Sequence, residues 1–199
     1  KGSERYAMHI GGQDLPAHDP KKGYHFATTY QMDATPGRHT QGQEVLNPPG
    51  LVPDYEEGSF SGRAEAHRRG ANIMHIINSA GMCEFGFFSL TDINVIPDFM
   101  NAITGWDVTL DELITTGERI SNVRHAFNLR EGLNPLDRKF PDRVLGSPPQ
   151  GEGPVANITV DQEMMVKEYM QIMGWDPQTA KPSREKLQAL GLEDIAKDL

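Results

Sequence analysis

Between Thr109 and Leu129, the apolar residues Leu110, Leu113, Ile114, Gly117, Ile120 and Phe127 recur at three- and four-residue spacings. Side chains so spaced share one face only on an α-helix, and a helix with one apolar face has to bury it against another element. Thr109 and Glu112 stand as a capping box at the start of this run, which fixes where the helix begins. Residues 63–80 repeat the pattern, with Ala66, Gly70, Ile73, Met74 and Ile77 on one face and Gly81 suited to the helix end. A short helix is expected over 95–103, with Pro97 in its first turn. Thr159 and Gln162 form a second capping-box pair, leading a helix whose inner face is Met165, Tyr169, Ile172 and Met173 and whose stop is Gly174. Ser183 caps a last short helix that carries Leu187 and Leu190 and ends at Gly191. The only stretch open to an extended reading is 84–90. The fold class is therefore all-α and multihelical, with no internal repeat: two small helical subdomains, 63–134 and 155–199, joined by a Pro/Gly-rich linker, 135–154, and preceded by a loop-rich segment, 1–62.

The chain has 199 residues, 37% of them hydrophobic, enough to bury a core. Its formal net charge of −9 argues against nucleic acid and membrane surfaces as partners, because both need a concentrated Lys/Arg face, and Arg63, Arg68 and Arg69 do not make one. No apolar run approaches the roughly 20 residues that span a bilayer. One cysteine in the whole chain points to a reducing compartment, the cytoplasm. The start at Lys1, without an initiator Met, reads as the interior of a longer protein.

That cysteine, Cys83, closes the hexapeptide Asn78, Ser79, Ala80, Gly81, Met82, Cys83 at the far end of a helical run. It is either an inert core thiol or one part of a site completed elsewhere. A nucleophilic role is disfavoured past a helix C-terminus, where the dipole opposes a thiolate, although a metal overrides that by binding the sulfur directly. The seven His residues form no tight ligand pair, so they read as scattered imidazoles. Neither a phosphate-cradling glycine loop nor a nucleophile elbow is present, which leaves kinase and hydrolase chemistry without support.

The hexapeptide with Glu84 and Phe85 resembles the pterin- and cluster-binding motif of the tungsten-containing aldehyde:ferredoxin oxidoreductase family, usually written Asp-x-x-Gly-Leu-Cys. Other stretches agree in order and spacing: Asp14 to Gly23; Thr116 to Ile120 with Asn122; Phe127 to Gly132; Glu168 and Tyr169 with Gly174, Trp175 and Asp176; and Lys186 to Leu192. The resemblance covers nearly all of the chain and implies the helical C-terminal region of such an enzyme, lying after a mostly sheet-built cofactor-binding domain. It also implies that Cys83 supplies the fourth thiolate of a 4Fe-4S cluster whose other three ligands lie upstream. Asn78 takes the position that hydrogen-bonds a pterin, and Gly81 and Met82 the positions where main chain approaches it. Here Asn replaces Asp, so the pterin would meet an amide rather than a charge. Met for Leu nearly conserves volume.

His39, within Thr35 to Thr40, resembles the family's catalytic segment, implying a proton exchanged with an aldehyde or its hydrate. The activity so implied is oxidation of aldehydes to carboxylic acids, with a tungsten (or molybdenum) bis-pterin as cofactor and ferredoxin as electron acceptor. Implied partners are the upstream domain, ferredoxin and a small aldehyde, and the sequence also allows a homo-oligomer. Two rivals stand beside this reading. One is a family member acting on another substrate; the other is a helical interaction module in which Cys83 is structural.

Overall fold

The computed structural model describes residues 2–3, 6–44, 48–92 and 94–199; positions 1, 4, 5 and 45–47 of the loop-rich segment lie outside them. A two-residue antiparallel hairpin, β1 (His9–Ile10) and β2 (Gln13–Asp14), precedes eight α-helices among the described residues. These are α1 (His25–Met32), α2 (Ala64–Ser79), α3 (Glu84–Phe87), α4 (Val95–Thr104), α5 (Leu110–Arg130), α6 (Asp142–Leu145), α7 (Gln162–Met173) and α8 (Arg184–Ala189). The fold is all-α. Among the described residues no helix is long and apolar enough to cross a membrane.

The α5 start follows the capping-box chemistry: Glu112 N donates to Thr109 Oγ1 while Thr109 N donates to Glu112 Oε2 at 2.8 Å. Its central face packs on α2, and the crossing is set by Gly117, where a Cβ would stand 2.1 Å from the Asn72 carbonyl oxygen. Ile73, Met74 and Ile77 of α2 join Leu113 and Ile114 of α5, Ile96 of α4 and Phe87 of α3 in the main core. Each such side chain contributes about 1.5–3 kcal/mol when fully buried. The other side of α2 meets α7, which also packs on α1. There Met32, Val166, Tyr169, Met170, Met173 and Trp175 form a second core.

Four local expectations fail for stated reasons. Phe127 is 55% exposed and Ile120 only half-buried, because the face that α5 buries runs through Gly117, Ser121, Asn122, His125 and Ala126 and both residues stand off it. The cap of α7 is Asp161, whose carboxylate accepts from Met164 N, while the Thr159 hydroxyl donates instead to the Gly146 carbonyl at 2.9 Å. Residues 84–87 turn into α3 rather than extending. Within the loop-rich segment lies α1, whose Thr28, Thr29 and Gln31 are buried polar residues that no apolar periodicity reveals.

Candidate active site

The hexapeptide forms the exit from α2. Gly81 adopts φ +69°, Ala80 N donates to Ile76 O at 2.8 Å and Met82 N to Ile77 O at 3.0 Å, the backward bonds of a glycine-closed helix end. Nothing lies within 4 Å of a Cβ built on Gly81, so its backbone is open on the outside. Met82 is partly buried and packs against the main core. Asn78 is exposed and gives Nδ2 to the Met74 carbonyl at 2.8 Å. Cys83 follows in extended conformation, φ −76° and ψ 125°, with an exposed thiol. The inert-core reading of Cys83 is thereby corrected: the turn reverses the chain away from the core before the sulfur is reached.

His39 sits half-buried with its ring centroid 4.5 Å from that of His18, which in turn stacks on Phe26 at 5.0 Å. Burial, together with His18 and Arg38 nearby, holds the His39 pKa below the usual imidazole value, so the ring is neutral at pH 7 and able to take a proton. Gln43 Nε2 donates to the His39 carbonyl at 3.1 Å and to Glu84 Oε1 at 3.3 Å. The His39 loop and the Cys83 turn thus meet through one amide. Burial raises the Glu84 pKa, against the opposing influence of that hydrogen bond and of His18.

The loop is held from below. Glu44, 1% exposed, accepts from Arg63 Nε at 2.8 Å and from His67 Nδ1 at 3.1 Å. Burial favours the neutral acid, but His67 and Arg63 outweigh it and keep the carboxyl below its ordinary pKa. The Thr29 hydroxyl donates to the Gly42 carbonyl at 3.1 Å. A Cβ at Gly42 would lie 2.5 Å from that hydroxyl oxygen, and one at Gly70 would lie 1.6 Å from the Gln43 carbonyl. Two glycines therefore let the backbone before Glu44 press onto α1 and α2, which aims the Gln43 side chain at Glu84.

Residues 1–192 match the family model "Aldehyde ferredoxin oxidoreductase, domains 2 & 3". The chain belongs to the aldehyde ferredoxin oxidoreductase family. It is 32% identical over 194 residues to the tungsten-containing aldehyde ferredoxin oxidoreductase of Pyrococcus horikoshii and 30% identical over 199 residues to that of Pyrococcus furiosus. These alignments cover 96% and 98% of the chain, but only 31% and 32% of the two enzymes. The chain thus spans about a third of the length of these relatives. In fold it is similar over its whole length to the active site complex BamBC of benzoyl coenzyme A reductase, with a TM-score of 0.68, 17% identity and 35% of that chain covered.

In this family member Asn78, Gly81, Met82 and Cys83 lie on one turn, and His39 reaches the neighbouring residue, Glu84, through Gln43. Sequence reasoning assigned no role to His18, Gln43 or Glu84. His18 lies inside the stretch from Asp14 to Gly23, and Glu84 directly follows Cys83, so both were within reach of the motifs. Their meeting with His39, 21 and 45 positions away, is a tertiary fact.

Proposed function

We propose that this chain is the C-terminal, helical part of a tungstopterin iron–sulfur oxidoreductase that oxidises aldehydes to carboxylic acids with ferredoxin as electron acceptor. The observation that carries this reading is the turn from Asn78 to Cys83: an exposed thiol, an open glycine backbone and an outward amide on one helix end. These features fit the groups that the family implies. Cys83 is accessible from outside the chain and would give one thiolate to a four-iron cluster, the ligand type such clusters take. The open main chain at Gly81, with Met82 next to it, would lie against the pterin. Asn78, with Nδ2 already spent on Met74, would offer Oδ1 as an acceptor for a pterin amino group.

When bound, the metal–pterin and the cluster supply the two-electron chemistry and its onward transfer. Converting an aldehyde hydrate, RCH(OH)2, to RCOOH releases two electrons and two protons; the electrons pass to ferredoxin. His39, neutral at pH 7, takes one of the protons from the hydrate hydroxyl as a general base. The second proton leaves to water; Glu84, joined to the His39 main chain through Gln43, holds that loop against the Cys83 turn.

The test uses the longer protein that carries this chain, purified without air. It should contain tungsten, iron and pterin together and reduce ferredoxin only when an aldehyde is added. Absence of tungsten and molybdenum alike would sink the reading. A metal-loaded protein inert toward aldehydes would instead select the second reading, a family member with another substrate, which the uncharged Asn78 in place of an acidic residue favours.

A further inference from the structure

We propose that a cleft beside His18 receives the hydrocarbon part of the substrate, with the reacting carbonyl end at the His18–His39 pair; this rests on the aldehyde-oxidising reading above. The cleft, open to solvent on one side, has a volume of about 370 Å³. That falls in the range of roughly 300–1,000 Å³ common for small-molecule sites. Met8, Leu15, Pro16, Ala17 and Val144 make its apolar wall. His18 belongs both to the lining of the cleft and to the ring pair with His39, so one residue borders the cleft and the candidate proton acceptor alike.

The wall is built rather than incidental. Leu15 N donates to Met8 O at 3.0 Å, which extends the β1–β2 hairpin and sets Met8 beside Leu15. The His18 carbonyl accepts from the Tyr30 hydroxyl at 2.9 Å, fixing the backbone that carries the ring. Asp19 and Lys21 also border the space, but they offer no free charge. Lys21 Nζ bonds Asp19 Oδ1 at 2.9 Å and the carbonyls of Arg143 and Val144 at 3.3 and 3.2 Å. A ligand carrying its own charge finds its counterpart already spent, whereas a hydrocarbon tail meets methyl and methylene groups. The larger groove, of about 600 Å³, lies between His9, Gly132 and Lys139 and contains neither His18 nor His39.

Each buried methylene is worth about fourfold in affinity. In the holoenzyme of the longer protein, kcat/KM should therefore rise about two- to fourfold per added carbon from propanal to hexanal. Ala17→Trp, which fills the cleft from an exposed position, should reduce the hexanal-to-propanal ratio at least tenfold, and Leu15→Ser should reduce it in the same direction. Equal ratios in the parent and both variants would overturn the proposal. Saturation-transfer NMR with 1-hexanol, using ethanol as the control, separates the two readings. Hexanol binding that Ala17→Trp abolishes, in a holoenzyme inert toward aldehydes, would keep the cleft and remove the oxidation. Hexanol binding that is absent, or untouched by Ala17→Trp, would remove the cleft whatever the turnover shows.

Discussion

Cys83 presents its thiol where the chain has left α2 and not yet entered α3, so the sulfur lies outside the core without any helix having to unfold. Replacement by Ser barely changes volume, and a hydroxyl is a poor ligand for a soft metal site. In the longer protein, Cys83→Ser should degrade the iron–sulfur signal and stop aldehyde-driven ferredoxin reduction while leaving the circular dichroism of the helices unchanged; an intact cluster with normal electron transfer would return Cys83 to a role without metal. His39 separates from it cleanly. His39→Ala should retain tungsten and iron and lower kcat by about 10²- to 10⁴-fold, the usual contribution of a general base. Its pH–rate profile should also lose the limb that rises below neutrality, because the depressed His39 pKa means the ring is deprotonated and competent above that value and protonated beneath it. A variant that turns over at the parent rate would show the ring is a bystander of the loop.

At the scale of elements, α2 is the piece on which both cores and the site depend, since α3, α5 and α7 all pack against it and its end carries the Asn78–Cys83 turn. Gly117 fixes its crossing with α5. Gly117→Ala would drive a Cβ to 2.1 Å from the Asn72 carbonyl oxygen, which is backbone and has to move with the whole helix. A loss of about 1–3 kcal/mol, read from denaturant midpoints, is expected from such overpacking; an unchanged midpoint would mean the two helices slide apart at no cost. Helices α2, α4, α5, α7 and α8 were legible in the sequence because their periodicity, caps and closing glycines are local signals. α1 was not, since its buried Thr29 hydroxyl and Gln31 Nε2 donate to the carbonyls of Gly42 and Pro135, the second of them 104 residues away. Phe127 misled for a related reason: the face that α5 buries towards its end carries Ser121, Asn122 and His125, polar residues that apolar periodicity passes over. The site divides the same way. Asn78 to Cys83 are contiguous and could be read as a unit, whereas His18, Gln43 and Glu84 come together only when the 39–44 loop is pinned by Glu44, Arg63 and His67.

Over the whole molecule, the segment that follows α1 is locked to α5 and to the chain beyond it by Asp33, which takes two bonds from Arg124 at 2.8 and 3.1 Å, while the Arg138 guanidinium donates to the Gln31 carbonyl at 2.7 Å. Beside this lock lie two buried imidazoles. His75 stands 4.0 Å from Asp33, and His125 stacks on Trp175 at 3.7 Å and donates Nε2–H to the Ala180 carbonyl at 2.7 Å. Burial pushes the His75 pKa down to about 4, with Asp33 opposing the shift and Arg124 adding to it. Burial likewise lowers His125 to about 4, the Ala180 bond and Asp33 opposing and Arg138 adding. Both rings are therefore neutral in the fold and bind protons more readily once unfolded, where the ordinary value is about 6.5. Their contribution is fully present above pH 6.5 and is lost as pH falls from there toward 4. At 1.36 kcal/mol for each unit of pKa, the loss is on the order of 3 kcal/mol for each ring. Unfolding free energies at pH 7.5, 5.5 and 4.5 should fall steeply for the parent protein. They should fall less in the double variant His75→Gln, His125→Gln, whose second substitution keeps a donor for Ala180. Carboxylates elsewhere titrate in both proteins, so the difference between the two curves isolates the imidazoles. Parallel curves from pH 6.5 to 4.5 would mean that the lock around Asp33 tolerates a protonated ring, and that acid opens this molecule somewhere else.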